Sequence, residues 1–182
     1  MKDLMVDLET MGDGPRAAIV SIGAVRFDLK TGDVGAFLHE PVSLVDSVRL
    51  GLEMTPGTVL WWMKQSPEAQ ASWNVQHPKL LAAGLGILTR LVGEGTARAT
   101  TVWANAPTFD CVILKNAYQA CGLPVPWKHY TERCMRTLVD LASDTGFDPK
   151  ATTRKGTAHS ALDDCYHQIE VCCRAYRHLH GA

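Results

Sequence analysis

Leu4-Met5-Val6-Asp7-Leu8 and Ala18-Ile19-Val20-Ser21-Ile22-Gly23-Ala24-Val25-Arg26-Phe27 decide the fold. The first alternates in the manner of a half-buried strand, and the second is a longer run rich in β-branched residues. Lys30-Thr31-Gly32-Asp33 supplies a turn, after which Ala36-Phe37-Leu38-His39 reads as a third strand. Three strands this close together predict an antiparallel meander. Beyond it the pattern turns helical. Thr55-Pro56 and Ser66-Pro67-Glu68 open two short helices, with proline suited to a first helical turn. Residues 78–92 form a helix with Leu80, Leu81, Leu85, Leu88 and Leu91 on one broad face, ending at Gly93.

Thr101–Ala104 is a short buried strand, and residues 109–121 form a helix stopped by Gly122. Residues 134–137 read as a last strand leading into a helix over 138–145. Residues 147–156 read as a mobile loop made basic by Lys150, Arg154 and Lys155. A closing helix over 161–179 gathers Leu162, Cys165, Ile169, Cys172, Cys173 and Tyr176 on one face. Strands followed by alternating helix and strand imply an α/β sandwich with a mixed sheet.

The chain has 182 residues, 46% hydrophobic and 20% charged, a balance that excludes disorder. Its length predicts a single domain over residues 1–182. No apolar run reaches the ~20 residues of a membrane span; residues 80–88 come nearest, but carry two glycines between Lys79 and Arg90. Met1-Lys2-Asp3-Leu4 does not resemble an export signal, and the six cysteines show no CxxC pair. The expectation is a cytoplasmic protein with reduced thiols and no membrane partner. With 18 Lys and Arg against 19 Asp and Glu, the net charge of −1 excludes a protein that coats nucleic acid by bulk electrostatics. It leaves open an enzyme that grips phosphates locally through metal ions.

Three constellations carry candidate chemistry. Asp7 and Glu9 stand two apart on a strand and share a face, where two carboxylates repel unless a cation lies between them. Hard oxygen ligands suit Mg²⁺ or Mn²⁺, and a solvated strand end is the competing reading. Asn105-Ala106-Pro107-Thr108-Phe109-Asp110 places an acid just inside a helix after a buried strand, where it would also favour the helix dipole. His159-Ser160-Ala161-Leu162-Asp163-Asp164 sets a histidine before a helix with two acids in its first turn, as capping alone would also do. Helical geometry does not choose between Asp163 and Asp164, which flank the apolar face at roughly equal angles. Together and in this order, the three exceed what capping explains.

These motifs resemble the DEDDh 3′→5′ exonucleases, a group that includes RNase T and oligoribonuclease. The stretches 5–12, 19–25 and Val59-Leu60-Trp61-Trp62-Met63-Lys64-Gln65-Ser66 are similar to its RNase T-like branch, which holds a mycobacterial exoribonuclease and many phage and prophage enzymes. The resemblance implies an RNase H-like fold, a five-stranded mixed β-sheet flanked by α-helices. It implies that Asp7, Glu9, Asp110 and Asp164 hold two divalent cations, with Asp7 shared between them and Asp164 chosen by its five-residue distance from His159. Such ions activate a water and stabilise the leaving 3′ oxygen. His159 would be the general base, a role suited to an imidazole of ordinary pKa near 6.5. The products would be 5′-nucleoside monophosphates released from the 3′ end of RNA or single-stranded DNA.

The resemblance further assigns Thr10 and Met11 to the terminal nucleotide, with Phe109 and Asn105 lining the same pocket. Trp61 and Trp62 face about 100° apart on a helix. One reading stacks one of them on the terminal base, and the other packs both against the sheet edge or a partner subunit. A relative that only binds nucleic acid would lack a carboxylate or the histidine, and this chain has all five. A homodimer is expected by analogy with the branch.

Overall fold

Strands β1 (Asp3–Thr10), β2 (Ile19–Phe27) and β3 (Val34–Pro41) form the expected antiparallel meander. In this computed structural model, which describes residues 1–93 and 100–181, β4 (Thr101–Ala104) then pairs in parallel with β1. Strand β5 (Glu132–Cys134) pairs in parallel with β4, giving the five-stranded mixed order β3-β2-β1-β4-β5.

The pleat of β1 sorts its side chains between two cores. Leu4, Val6 and Leu8 join the larger cluster with Leu85 and Leu88 of α4 (Leu81–Gly93) and Ile113 and Leu114 of α5 (Asp110–Ala120). Met5 points the other way, toward Val25, Phe27, Trp103 and the Cys165, Ile169 and Cys172 face of α7 (Ala161–His180). Asp7 and Glu9 are in phase with Met5 and therefore lie on the α7 side. Each buried Leu or Val contributes about 1.5–3 kcal/mol, so a one-residue slip that drove the carboxylates into the larger core is excluded.

The remaining helices refine the sequence reading. Helices α2 (Pro56–Trp62) and α3 (Pro67–Ala71) begin at their prolines as expected. Helix α1 (Leu44–Arg49) lies where the sequence reading placed none. Ser43 Oγ accepts from the Asp46 amide at 3.2 Å, and Asp46 Oδ2 in turn accepts from the Leu81 amide at 2.9 Å. Helix α4 starts three residues later than expected because Lys79 is still paired with β3's end, donating to Pro41 and accepting from Ser43. The last strand is also displaced: it ends at Cys134, and Met135 already opens α6 (Met135–Ser143). Met135 and Leu138, one turn apart, pack on the α7 core, and that helical spacing overrides the strand-like look of 134–137. None of the described helices is long and apolar enough to cross a membrane.

Candidate active site

The site forms where the end of β1 meets the start of α7. That helix comes unusually close to the sheet: a Cβ on Gly23 of β2 would fall 2.3 Å from the carbonyl of Ala161. Gly23 is the direct cross-strand partner of Asp7, so the same contact brings the first turn of α7 over the acidic end of β1. Carboxylate oxygens of Asp7, Glu9 and Asp164 come to lie within 4.8 Å of one another. Asp110, the first residue of α5, is buried across a cleft of about 510 Å³ that Asp7, Asn105, Phe109 and Arg136 also line.

Crowded acids resist ionisation. Burial, followed by the fields of Asp110, Glu9 and Asp164, holds the Asp7 carboxyl well above the usual range. Burial does the same to Glu9, which Asp164 and Asp110 help push up to about 8, with Arg154 opposing. Asp110 is pushed up to about 7 by burial, against backbone hydrogen bonds at its helix start and at Leu8 of β1, and against Arg136. Two side chains answer part of the charge. Gln168 Nε2 donates to Asp7 Oδ1 at 2.6 Å, and the Arg154 guanidinium pairs with Asp164 Oδ1. Glu9 Oε1 remains buried with no hydrogen-bond partner among the described residues. An oxygen-only donor set with one orphaned buried oxygen fits a hard divalent cation.

The two acids at the start of α7 separate cleanly. Asp164 joins Asp7 and Glu9, whereas Asp163 turns toward the preceding loop and accepts from the Thr157 amide at 2.9 Å. The other oxygen of Asp164, Oδ2, accepts from the His159 amide at 3.2 Å. His159 sits at φ +63°, a left-handed conformation uncommon outside glycine. Its carbonyl accepts from Ser72 Oγ, and its imidazole meets the Trp61 indole edge-on with centroids 4.8 Å apart.

The tryptophans divide as well. Trp61 is 41% exposed beside His159, whereas Trp62 is buried and donates its indole N–H to the Thr10 carbonyl at 2.8 Å. Trp62 thus braces the end of β1. Thr10 is itself buried, with its hydroxyl donating to the Gly12 carbonyl. Met11 is buried and, with Trp62, Trp73 and Met63, lines a separate apolar cleft of about 210 Å³. Among the candidates for substrate contact, Asn105 and Phe109 share the cleft of Asp7 and Asp110, and Trp61 stands on the His159 side.

Four residues at the site escaped the sequence reading. Gln168 lies four residues after Asp164, hence on the same helical face. Gly23 interrupts a β-branched run, which signals close backbone approach. Arg154 was visible only as part of a basic loop. Arg136 was hidden by the strand expected over 134–137, since only a helix start at Met135 turns it toward the cleft. The loop over 147–156 contains a 3-10 turn, and Arg174 of α7 holds it by donating to the Ala151 carbonyl and to Thr152 Oγ1.

The mixed sheet order β3-β2-β1-β4-β5, with acids gathered at the end of β1, is the frame of an RNase H-like fold. The Rv2179c-like 3′-5′ exoribonuclease domain matches residues 2–175, and the chain belongs to that family. It is 35% identical over 210 aligned positions to an exodeoxyribonuclease of Enterobacteria phage T4, covering all of this chain and 92% of that protein. Solved structures share the fold at low identity. The cell-death related nuclease CRN-4 matches with a TM-score of 0.68 at 14% identity, over 96% of this chain and 63% of that one. The nuclease domain of 3′hExo, a DEDDh family member bound to rAMP, gives 0.61 at 14%, over 96% and 91%. A zinc-bound complex of E. coli ExoI with single-stranded DNA gives 0.63 at 17%, over 98% of this chain and 40% of the other.

Proposed function

We propose that this chain, acting as one domain over residues 1–182, removes nucleotides singly from the 3′ end of RNA or single-stranded DNA and releases 5′-nucleoside monophosphates. The observation that carries this reading is the convergence of Asp7, Glu9 and Asp164 oxygens within 4.8 Å, with buried Asp110 across the cleft. These four carboxylates would hold two divalent cations, Mg²⁺ or Mn²⁺. When bound, the cations supply an activated water and neutralise charge developing at the scissile phosphate.

The protein's own groups do the rest. Gln168 fixes the rotamer of Asp7 through Oδ1 and leaves its other oxygen free of that bond. His159 accepts the proton of the attacking water on a ring nitrogen, after its imidazole leaves the edge of Trp61. Trp61, exposed beside it, offers a face on which any 3′-terminal base can stack. Phe109 and Asn105 line the cleft beside the phosphate, and Arg136 supplies positive charge there. Thr10 and Met11 shape the end of β1 from behind.

The free cysteines, four of them buried, support a reducing, cytoplasmic setting. Exposed Val45, Leu60 and Met63 on and beside the short helices support the homodimer, which sedimentation would test. The function itself is tested by digesting matched RNA and DNA oligomers labelled at the 5′ end, with Mg²⁺ or Mn²⁺ and with chelator. The expected result is stepwise shortening from the 3′ end that stops on chelation. Internal cleavage, shortening from the 5′ end or no cleavage of either polymer would contradict it.

A further inference from the structure

We propose that Arg154 is the built-in counter-ion of the carboxylate cluster, and that it passes from Asp164 to a substrate phosphate when a divalent cation takes its place. The inference rests on the cation-dependent reading of the site and adds a substrate-binding residue to it.

Asp164 has two oxygens and both are engaged. Oδ2 accepts the His159 backbone N–H, and Oδ1 takes the guanidinium of Arg154. A cation joining Asp7, Glu9 and Asp164 needs one of these oxygens. The amide is fixed by the chain, with the His159 carbonyl tied to Ser72 and the Asp164 amide bonded to the Ser160 carbonyl. Arg154 is held only by its side chain, which is 38% exposed against 13% for Asp164. The arginine therefore yields.

Nothing else requires this pair. The loop around Arg154 is anchored on one side by Arg174 at Ala151 and Thr152, and on the other by Asp163 at the Thr157 amide. A partly exposed ion pair adds little to such anchoring. Its value lies in charge: it offsets one of four clustered acids while no cation is bound. Arginine cannot shed its own charge, so a cation arriving at Asp164 repels it. The flanking anchors keep its Cα at the mouth of the site, where the next anion to arrive is the phosphate chain. The planar fork of the guanidinium matches phosphate oxygens.

Two arms test this. Mn²⁺ binding without nucleic acid is read from the free-Mn²⁺ paramagnetic resonance signal for the wild type, Arg154→Gln and Arg154→Lys. The Gln variant should bind Mn²⁺ about two- to fivefold more tightly, the worth of a partly exposed pair, and the Lys variant should stay near the wild type. With oligonucleotide, Arg154→Gln should raise KM and lower the slope of log(kcat/KM) against log salt by about 0.7, one phosphate contact on a single strand. Equal or weaker Mn²⁺ binding by Arg154→Gln overturns the counter-ion role. Tighter Mn²⁺ binding with unchanged KM and salt slope overturns the transfer to phosphate. Failure of every protein to bind Mn²⁺ overturns the cation-dependent reading itself, and this inference with it.

Discussion

Gly23 and Ala161 touch backbone to backbone: a side chain of even one carbon on Gly23 would lie 2.3 Å from the Ala161 carbonyl and 2.8 Å from the Leu162 nitrogen. This contact couples the sheet to the site, because Gly23 pairs with Asp7 and Ala161 lies three residues before Asp164. Gly23→Ala should lift the start of α7 and cost about 1–3 kcal/mol, the usual penalty of overpacking. Melting temperature and Mn²⁺ affinity should fall together. A variant that melts and binds like the wild type would show that the close approach does not position the acids.

Asp163 and Asp164 are adjacent yet face different partners. Asp164→Asn should abolish hydrolysis while the fold persists. Asp163→Ala should keep most of the activity and melt lower, since it strips the Thr157 amide of its acceptor, a loss of about 1 kcal/mol. Thermal melts and nucleotide-release assays on the two variants distinguish these outcomes, and reversed roles would mean that α7 carries a different register at the site.

The metal-free protein should become less stable as pH rises from about 4.5 to about 8. Glu9 and Asp110 hold their protons up to about 8 and about 7 when folded, but release them near 4.5 and 3.8 when unfolded. Between those limits the folded state binds more protons, so the slope of unfolding free energy with pH is negative. Half-buried His39 and His167 act in the opposite sense, since their lowered pKa adds stability as pH rises toward 6.5. Glu9→Gln isolates the acids: its melting temperature in chelator at pH 8 should exceed that of the wild type by several degrees, at about 2–4 °C per kcal/mol. A wild type that is no less stable than Glu9→Gln at pH 8 would refute the buried-carboxyl strain.

His159→Ala should fold and keep its Mn²⁺ affinity, because the tie to Asp164 is made by the backbone amide and not by the imidazole. It should lose roughly 10²–10⁴ in kcat, the worth of a general base. A variant with the wild-type rate and pH profile would leave His159 a conformational role only.

Much of this site is written in short patterns. The same-face placement of Asp7 and Glu9 follows from the pleat of β1, and the apolar face of α7 from its helical period. What escaped is tertiary. Asp46 caps a helix 35 residues away, which no local pattern announces. The start of α6 depends on packing against α7, and with it the position of Arg136. Trp62 is buried in the larger core and bonds the Thr10 carbonyl across 52 residues, whereas its neighbour Trp61 stays exposed. Periodicity set the two rings apart without saying which faces the protein.

The carboxylate centre is tested most directly by titrating Mn²⁺ calorimetrically into the wild type and Asp7→Asn, with nucleotide release measured on the same samples. Asp7 stands between Glu9, Asp110 and Asp164, and its carboxyl feels all three. Its loss as an anion should therefore weaken Mn²⁺ binding at least tenfold, about 1.4 kcal/mol, and abolish hydrolysis. Unchanged Mn²⁺ affinity together with unchanged nucleotide release in Asp7→Asn would contradict a cation-dependent exonuclease centred on these four acids.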